Sequence, residues 1–161
     1  MNTQEKINKV MSWIVEKDED KRTLIAEEIK DILRASQPPQ EELATRKPEF
    51  IEEILLEFGV PCILFGYDYL VYAITIASED DVYIRKITKK LYPAVAEKFG
   101  TTASRAERGI RHAIEAGWDR CEMEVVLKYF KNSVRADRGK PTNSEFISRI
   151  AKLVRRECGN G

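Results

Sequence analysis

Apolar residues recur at three- and four-residue intervals along almost the whole of this chain, and no stretch alternates as a half-buried strand would. Ile7, Val10, Met11, Ile14 and Val15 fall on one helical face, and Leu24, Ile25, Ile29, Ile32 and Leu33 fall on another. Asp18-Glu19-Asp20 separates the two stripes. Pro38-Pro39 ends the second, since paired prolines cannot continue a helix. Residues 1–35 therefore read as a helical hairpin, and 1–47 as that hairpin plus a proline-containing linker. Two short amphipathic helices cannot shield both apolar faces alone, so Ile7, Val10, Ile14, Ile25, Ile29 and Ile32 are expected to pack on the main domain or on a second copy.

The main domain is expected over 48–161, with Pro48 at a helix N-terminus and Phe50, Ile51, Ile54, Leu55 and Phe58 on its apolar face. Gly59-Val60-Pro61 stops that helix, and another follows Gly66. Ser78-Glu79-Asp80-Asp81 is a break and an N-cap for a helix over 82–91, and Pro93 suits the first turn of the next. Gly100-Thr101-Thr102 turns into a helix over 102–118, and Glu122 to Phe130 forms another. Thr142-Asn143-Ser144-Glu145 has the spacing of a capping box and opens the last. The expectation is an all-α fold: a compact helix-turn-helix domain of about six helices with an extra N-terminal hairpin.

Several function classes are disfavoured. Cys62, Cys121 and Cys158 sit far apart without a C-x-x-C pair, and His112 is the only histidine, so neither a disulfide framework nor a metal cluster is expected. No run approaches the roughly 18 apolar residues of a membrane span, and the first nine residues lack the apolar core of a signal peptide. These features imply a cytoplasmic protein without a cofactor. With no Gly-rich phosphate loop, acid pair or nucleophile motif, an enzyme is not expected. Tyr67, Tyr69 and Tyr72 could line a pocket, but their helical spacing fits a place between core and surface.

The formal net charge of zero conceals a segregation. Residues 1–47 hold 9 basic and 10 acidic side chains; 48–81 hold 8 acidic and no basic ones; 82–161 hold 18 basic and 9 acidic ones. A half-chain at +9 is the electrostatic footprint that phosphate binding requires, although a solvated lysine- and arginine-rich surface has the same composition.

The short helix after Pro93, the turn at Gly100 and the longer helix after it have the proportions of a helix-turn-helix. On the longer helix Ala103, Ala106, Ile110, Ala113, Ile114 and Gly117 share one side, while Ser104, Arg105, Arg108, Arg111, His112 and Glu115 share the other. Arginine forks suit guanine O6 and N7, and Ser104 and His112 can donate or accept. Glu107 could accept from a cytosine amino group or orient a neighbouring arginine. An ordinary solvated face with i,i+4 ion pairs is the competing reading. Lys89, Lys90, Lys98, Thr101 and Lys140 are candidates for phosphate contact.

These residues also carry a resemblance. The run Thr88-Lys-Lys-Leu-Tyr-Pro-Ala-Val-Ala-Glu-Lys-Phe99, the block Thr101-Thr-Ala-Ser-Arg-Ala-Glu-Arg-Gly-Ile-Arg-His-Ala-Ile-Glu115 and Lys140-Pro-Thr-Asn-Ser-Glu-Phe146 are very similar to the C-terminal effector domain of the stage-zero sporulation protein A family. Gly59-Val-Pro61 and Gly66-Tyr-Asp-Tyr-Leu70 match as well, so the resemblance covers about residues 50–157. It implies a six-helix DNA-binding domain that reads a short box containing guanines and cytosines, often as two domains head to tail. It implies Ser104, Arg105, Glu107, Arg108, Arg111 and His112 as the DNA-facing set. Two departures stand out. The family's regulator carries a receiver domain with a phosphoacceptor aspartate, for which residues 1–47 are too short and too helical. In the segment that touches the polymerase sigma subunit in the family, Phe130 and Val134 match, while Val125, Leu127 and Lys128 replace small polar residues. Repression by occupancy thus stands beside activation through sigma.

Two readings follow: a sequence-specific transcription regulator bound to double-stranded DNA, or an interaction module that dimerises through residues 1–35 and blocks a full-length relative.

Overall fold

The computed structural model describes residues 25–32, 40–131 and 139–159. The chain divides into two compact units, Met1–Gln40 and Glu41–Gly161. In the first, residues 25–32 are helical, with Ile25 and Ile29 half-buried and Ile32 64% exposed. The stripe from Ile7 to Val15 and the Pro38-Pro39 stop lie outside the described residues.

Helix α1 spans Gln40–Glu57, with Pro48 inside it. Pro48 therefore does not open this helix, contrary to the reading from sequence. A proline within a helix removes one N–H and crowds the carbonyl four residues back. The segment Glu41-Glu-Leu-Ala44 ahead of it consists of good helix formers that propagate the helix through that defect.

The remaining elements are α2 Phe65–Glu79, α3 Asp81–Arg85, a π turn Ile87–Leu91, α4 Tyr92–Phe99, α5 Ala103–Trp118, α6 Met123–Phe130 and α7 Asn143–Cys158. No strand occurs among the described residues, and the fold is all-α. Asp80 caps α3, its carboxylate accepting from the Val82 N–H at 2.8 Å. The single helix expected over 82–91 is instead broken at Lys86, which sits at φ −129, ψ 49. Pro93, whose ring in a regular α-helix would meet the Lys89 carbonyl, follows in the first turn of α4. The wider π turn, closed by Tyr92 N–H to Ile87 C=O, turns both Leu91 and Tyr92 into the core before the proline.

Phe58, at the end of α1 and fully buried, organises one end of the core. Its ring stacks on Trp118 at 6.1 Å and meets Tyr129, Phe130 and Phe146 at 5.3 to 5.9 Å. The C-terminal end of α5, α6 and the start of α7 thus converge on one aromatic side chain. At the other end α2 crosses α5 very closely. A Cβ built on Gly66 would lie 1.9 Å from the Gly109 carbonyl oxygen, so glycine is required there. α2 also packs on α7, leaving α5 with its back to α2, α4 and α7 and its front to solvent. No helix of the described residues is long and apolar enough to cross a membrane.

Candidate nucleic-acid interface

The turn between α4 and α5 is locally determined. Gly100 takes the left-handed conformation at φ 61, ψ 39. Its N–H reaches Glu97 C=O at 3.5 Å, and the Thr101 N–H reaches Ala96 C=O at 2.9 Å, the paired bonds that close a Schellman motif. Thr102 then caps α5, its hydroxyl oxygen accepting from the Arg105 N–H at 3.3 Å. The sequence expectation of a helix over 102–118 matches Ala103–Trp118 with Thr102 as its cap.

Burial divides α5 as helical spacing requires. Ala106, Ile110, Ala113, Ile114 and Gly117 are buried, and Ala103 is half-buried. Ser104, Arg105, Arg108, Arg111 and His112 are all exposed, which brings these candidates together on one open surface. Glu107 differs: it is half-buried and forms an ion pair with Arg111, one turn away. Of the two roles open to Glu107, orienting an arginine is the one the geometry displays.

A polar node behind this face has no local sequence signal. Asn143, the first residue of α7, is buried and donates from its amide nitrogen to the Tyr92 hydroxyl at 3.1 Å and the Glu107 carbonyl at 3.2 Å. α4, α5 and α7 are tied at one point. Burial pushes the Tyr92 phenol above its ordinary value of 10.0, while the Asn143 hydrogen bond opposes that shift. The phenol accordingly remains neutral and available as an acceptor. Thr142 and Glu145 form the expected capping box: Thr142 Oγ1 accepts from the Glu145 N–H at 3.2 Å, and the Glu145 carboxylate accepts from the Thr142 N–H at 2.9 Å.

The basic candidates separate into groups. Lys89 and Lys140 line a cleft of about 910 Å³ between the π turn, the Glu107–Arg111–Glu115 flank of α5 and the N-terminus of α7. Lys140 is also ion-paired to Asp119 at 2.7 Å. Lys98 points elsewhere, its ammonium 5.8 Å from the centre of the Tyr72 ring. Lys90 is exposed on the π turn, and Thr101 is half-buried in the interhelical turn. Arg85 and Lys86, which the sequence reading passed over, join Lys89 on the far wall of the cleft. Tyr69 and Tyr72 are half-buried against Phe99, with centroids 4.9 and 5.8 Å apart, and occupy the boundary between core and surface.

Comparison with known families agrees with this architecture. The profile of the family described as Sporulation initiation factor Spo0A C terminal matches residues 51–154, more than half of the chain.

Proposed function

Since the chain belongs to the family of the C-terminal, DNA-binding effector domain of the sporulation initiation factor Spo0A, we propose that it is a sequence-specific transcription regulator. In this reading α5 enters the major groove of double-stranded DNA and reads a short box containing guanines and cytosines. The observation that carries the reading is the exposed face of α5, where Arg105, Arg108 and Arg111 stand beside Ser104 and His112 opposite a buried apolar side. Arg108 and Arg111 fork onto guanine O6 and N7. Glu107, ion-paired to Arg111, holds that guanidinium in the orientation the fork needs. Lys89, Lys90, Lys98, Thr101 and Lys140 meet phosphates, and the protein acts in the cytoplasm.

Selection of bound oligonucleotides from a random pool by the purified chain would supply the box. Losing one bidentate arginine weakens binding at the cognate base by about 1–3 kcal/mol and relaxes specificity there. Arg108→Ala and Arg111→Ala should therefore abolish discrimination between the box and scrambled DNA. Lys98→Ala should lower both affinities in parallel. Full retention of the specificity ratio in the two arginine variants would remove α5 as the reading helix.

A second reading, in which the chain dimerises through residues 1–35 and competes with a full-length relative, draws support from the exposure of Ile32 beside half-buried Ile25 and Ile29. Sedimentation of the full chain would give twice the monomer mass. The same monomeric mass with and without residues 1–47 would exclude it.

A further inference from the structure

We propose that the cleft between the π turn, α5 and α7 seats one phosphodiester strand of the bound duplex, with Arg85 and Lys86 as backbone contacts outside the helix-turn-helix. The proposal rests on the DNA-binding reading above and extends it to a second wall of the site. An α-helix with its side chains is about 10–12 Å across, and the major groove is about 12 Å wide. A helix that fills the groove therefore has a sugar-phosphate strand against each flank. On one flank of α5, Glu107, Arg111 and Glu115 follow one another at four-residue spacing and open into the cleft.

A phosphate strand passing this flank meets two carboxylates on α5 itself, which would repel it unless the opposite wall compensates. The opposite wall does. Arg85, Lys86 and Lys89 stand there, with Lys140 at the α7 end, so that with Arg111 the cleft holds five cations against Glu107 and Glu115. Glu107 is already matched by Arg111, and Lys140 by Asp119. Arg85, Lys86 and Lys89 are exposed, and Asp81, one turn before Arg85 and outside the cleft, is paired chiefly with Arg155 at 2.7 Å while also attracted to Arg85. Three exposed cations in one concave wall, with no carboxylate on that wall of the cleft, form a phosphate-binding surface.

The π turn explains how they come to share that wall. It breaks the helix after Lys86 and re-phases the chain, so Arg85, Lys86 and Lys89 line one cleft while Leu91 and Tyr92 face the core. Such turns recur at functional sites. Beside Tyr92, Thr142 and Asn143, the lining holds the exposed hydroxyls of Thr88 and Ser144, which are of the kind that donate to phosphate oxygens.

The test uses the full chain and its selected box, titrated at several salt concentrations. Each phosphate contact contributes about 0.9 to the slope of log K against log salt. The double variant Arg85→Ala/Lys86→Ala should therefore lower the slope by about 1.8 and leave the ratio of box to scrambled affinity unchanged. Between 50 and 200 mM salt the gap between wild type and variant should close by about twelvefold. The conservative double variant Arg85→Lys/Lys86→Arg should keep the wild-type slope, because phosphate reads charge here and not a side-chain shape. A wild-type slope in the alanine double variant, with specific binding intact in the wild type, would overturn the cleft as a strand seat. A wild-type chain that binds no duplex at all would instead overturn the DNA reading, and this inference with it.

Discussion

Gly66→Ala tests the contact that positions α5. The added Cβ would sit 1.9 Å from the Gly109 carbonyl oxygen and 2.5 Å from its carbon, against ordinary contact beginning at 3.4 Å. The obstacle is backbone at the centre of a packed helix and cannot swing aside as a side-chain end would. The helices must separate by more than an ångström, opening the seam lined by Leu70, Ala73, Ile110 and Ala113, all of which are fully buried. Overpacking commonly costs about 1–3 kcal/mol, and a backbone obstacle places this variant at the upper end. At the second position of α2 alanine's better helix propensity returns at most about 1 kcal/mol, leaving a net loss of roughly 2 kcal/mol or more. For a domain of this size that lowers Tm by about 4–8 °C or more. Gly109→Ala is an internal comparison: its Cβ would meet the Tyr69 ring at 3.1 Å, a half-buried side chain with room to yield. Thermal unfolding followed by circular dichroism ranks the two. A Gly66→Ala protein that melts with wild type, or above Gly109→Ala, would refute the close crossing.

Asn143→Ala should destabilise by about 1–3 kcal/mol in urea unfolding, because the Glu107 carbonyl loses its buried donor along with the Tyr92 hydroxyl; an unchanged midpoint would count against the node. Thr142→Ala, which removes one half of the capping box, should cost about 1 kcal/mol in the same assay, and a neutral result would mean that the cap is redundant. The Lys128 ammonium hydrogen-bonds both Glu57 carboxylate oxygens at 2.9 and 2.7 Å and thereby lowers the Glu57 pKa below its ordinary 4.5. A depressed carboxylate contributes stability above its unfolded value and loses it as pH falls through the folded one. The small Tm gap between wild type and Lys128→Met should accordingly be open at neutral pH and close in acid; a gap indifferent to pH would contradict the pairing.

The parts of this fold that were legible in the sequence are those governed by neighbours along the chain. α5 was readable because its apolar residues keep a 3.6-residue period and Thr102 caps it; the α7 capping box needs only Thr142 and Glu145. Pro48 misled because proline at a helix start is common, whereas the helix that contains it begins at Gln40. The π turn has no periodic signature, since a single wide turn leaves no repeat to read. Gly66 and Gly109 look like tolerable helical glycines until the partner helix is known. Asn143 reaches Tyr92 across 51 positions, and Arg85 and Lys86 share a cleft with α7 only through tertiary packing. Exposed arginines announce themselves in a helical wheel; their supports do not.

The Asn143 node also indexes α5. A helix sliding by one residue advances about 1.5 Å and rotates by about 100°. In the next setting the Asn143 amide would no longer face the Glu107 carbonyl, and its buried nitrogen would lose a partner. Intermediate offsets satisfy neither arrangement, so the helix has one seat and no graded slippage around it. Under the proposed reading, a changed preference for bases would therefore come from exchanging side chains on the exposed face, with the backbone held in phase.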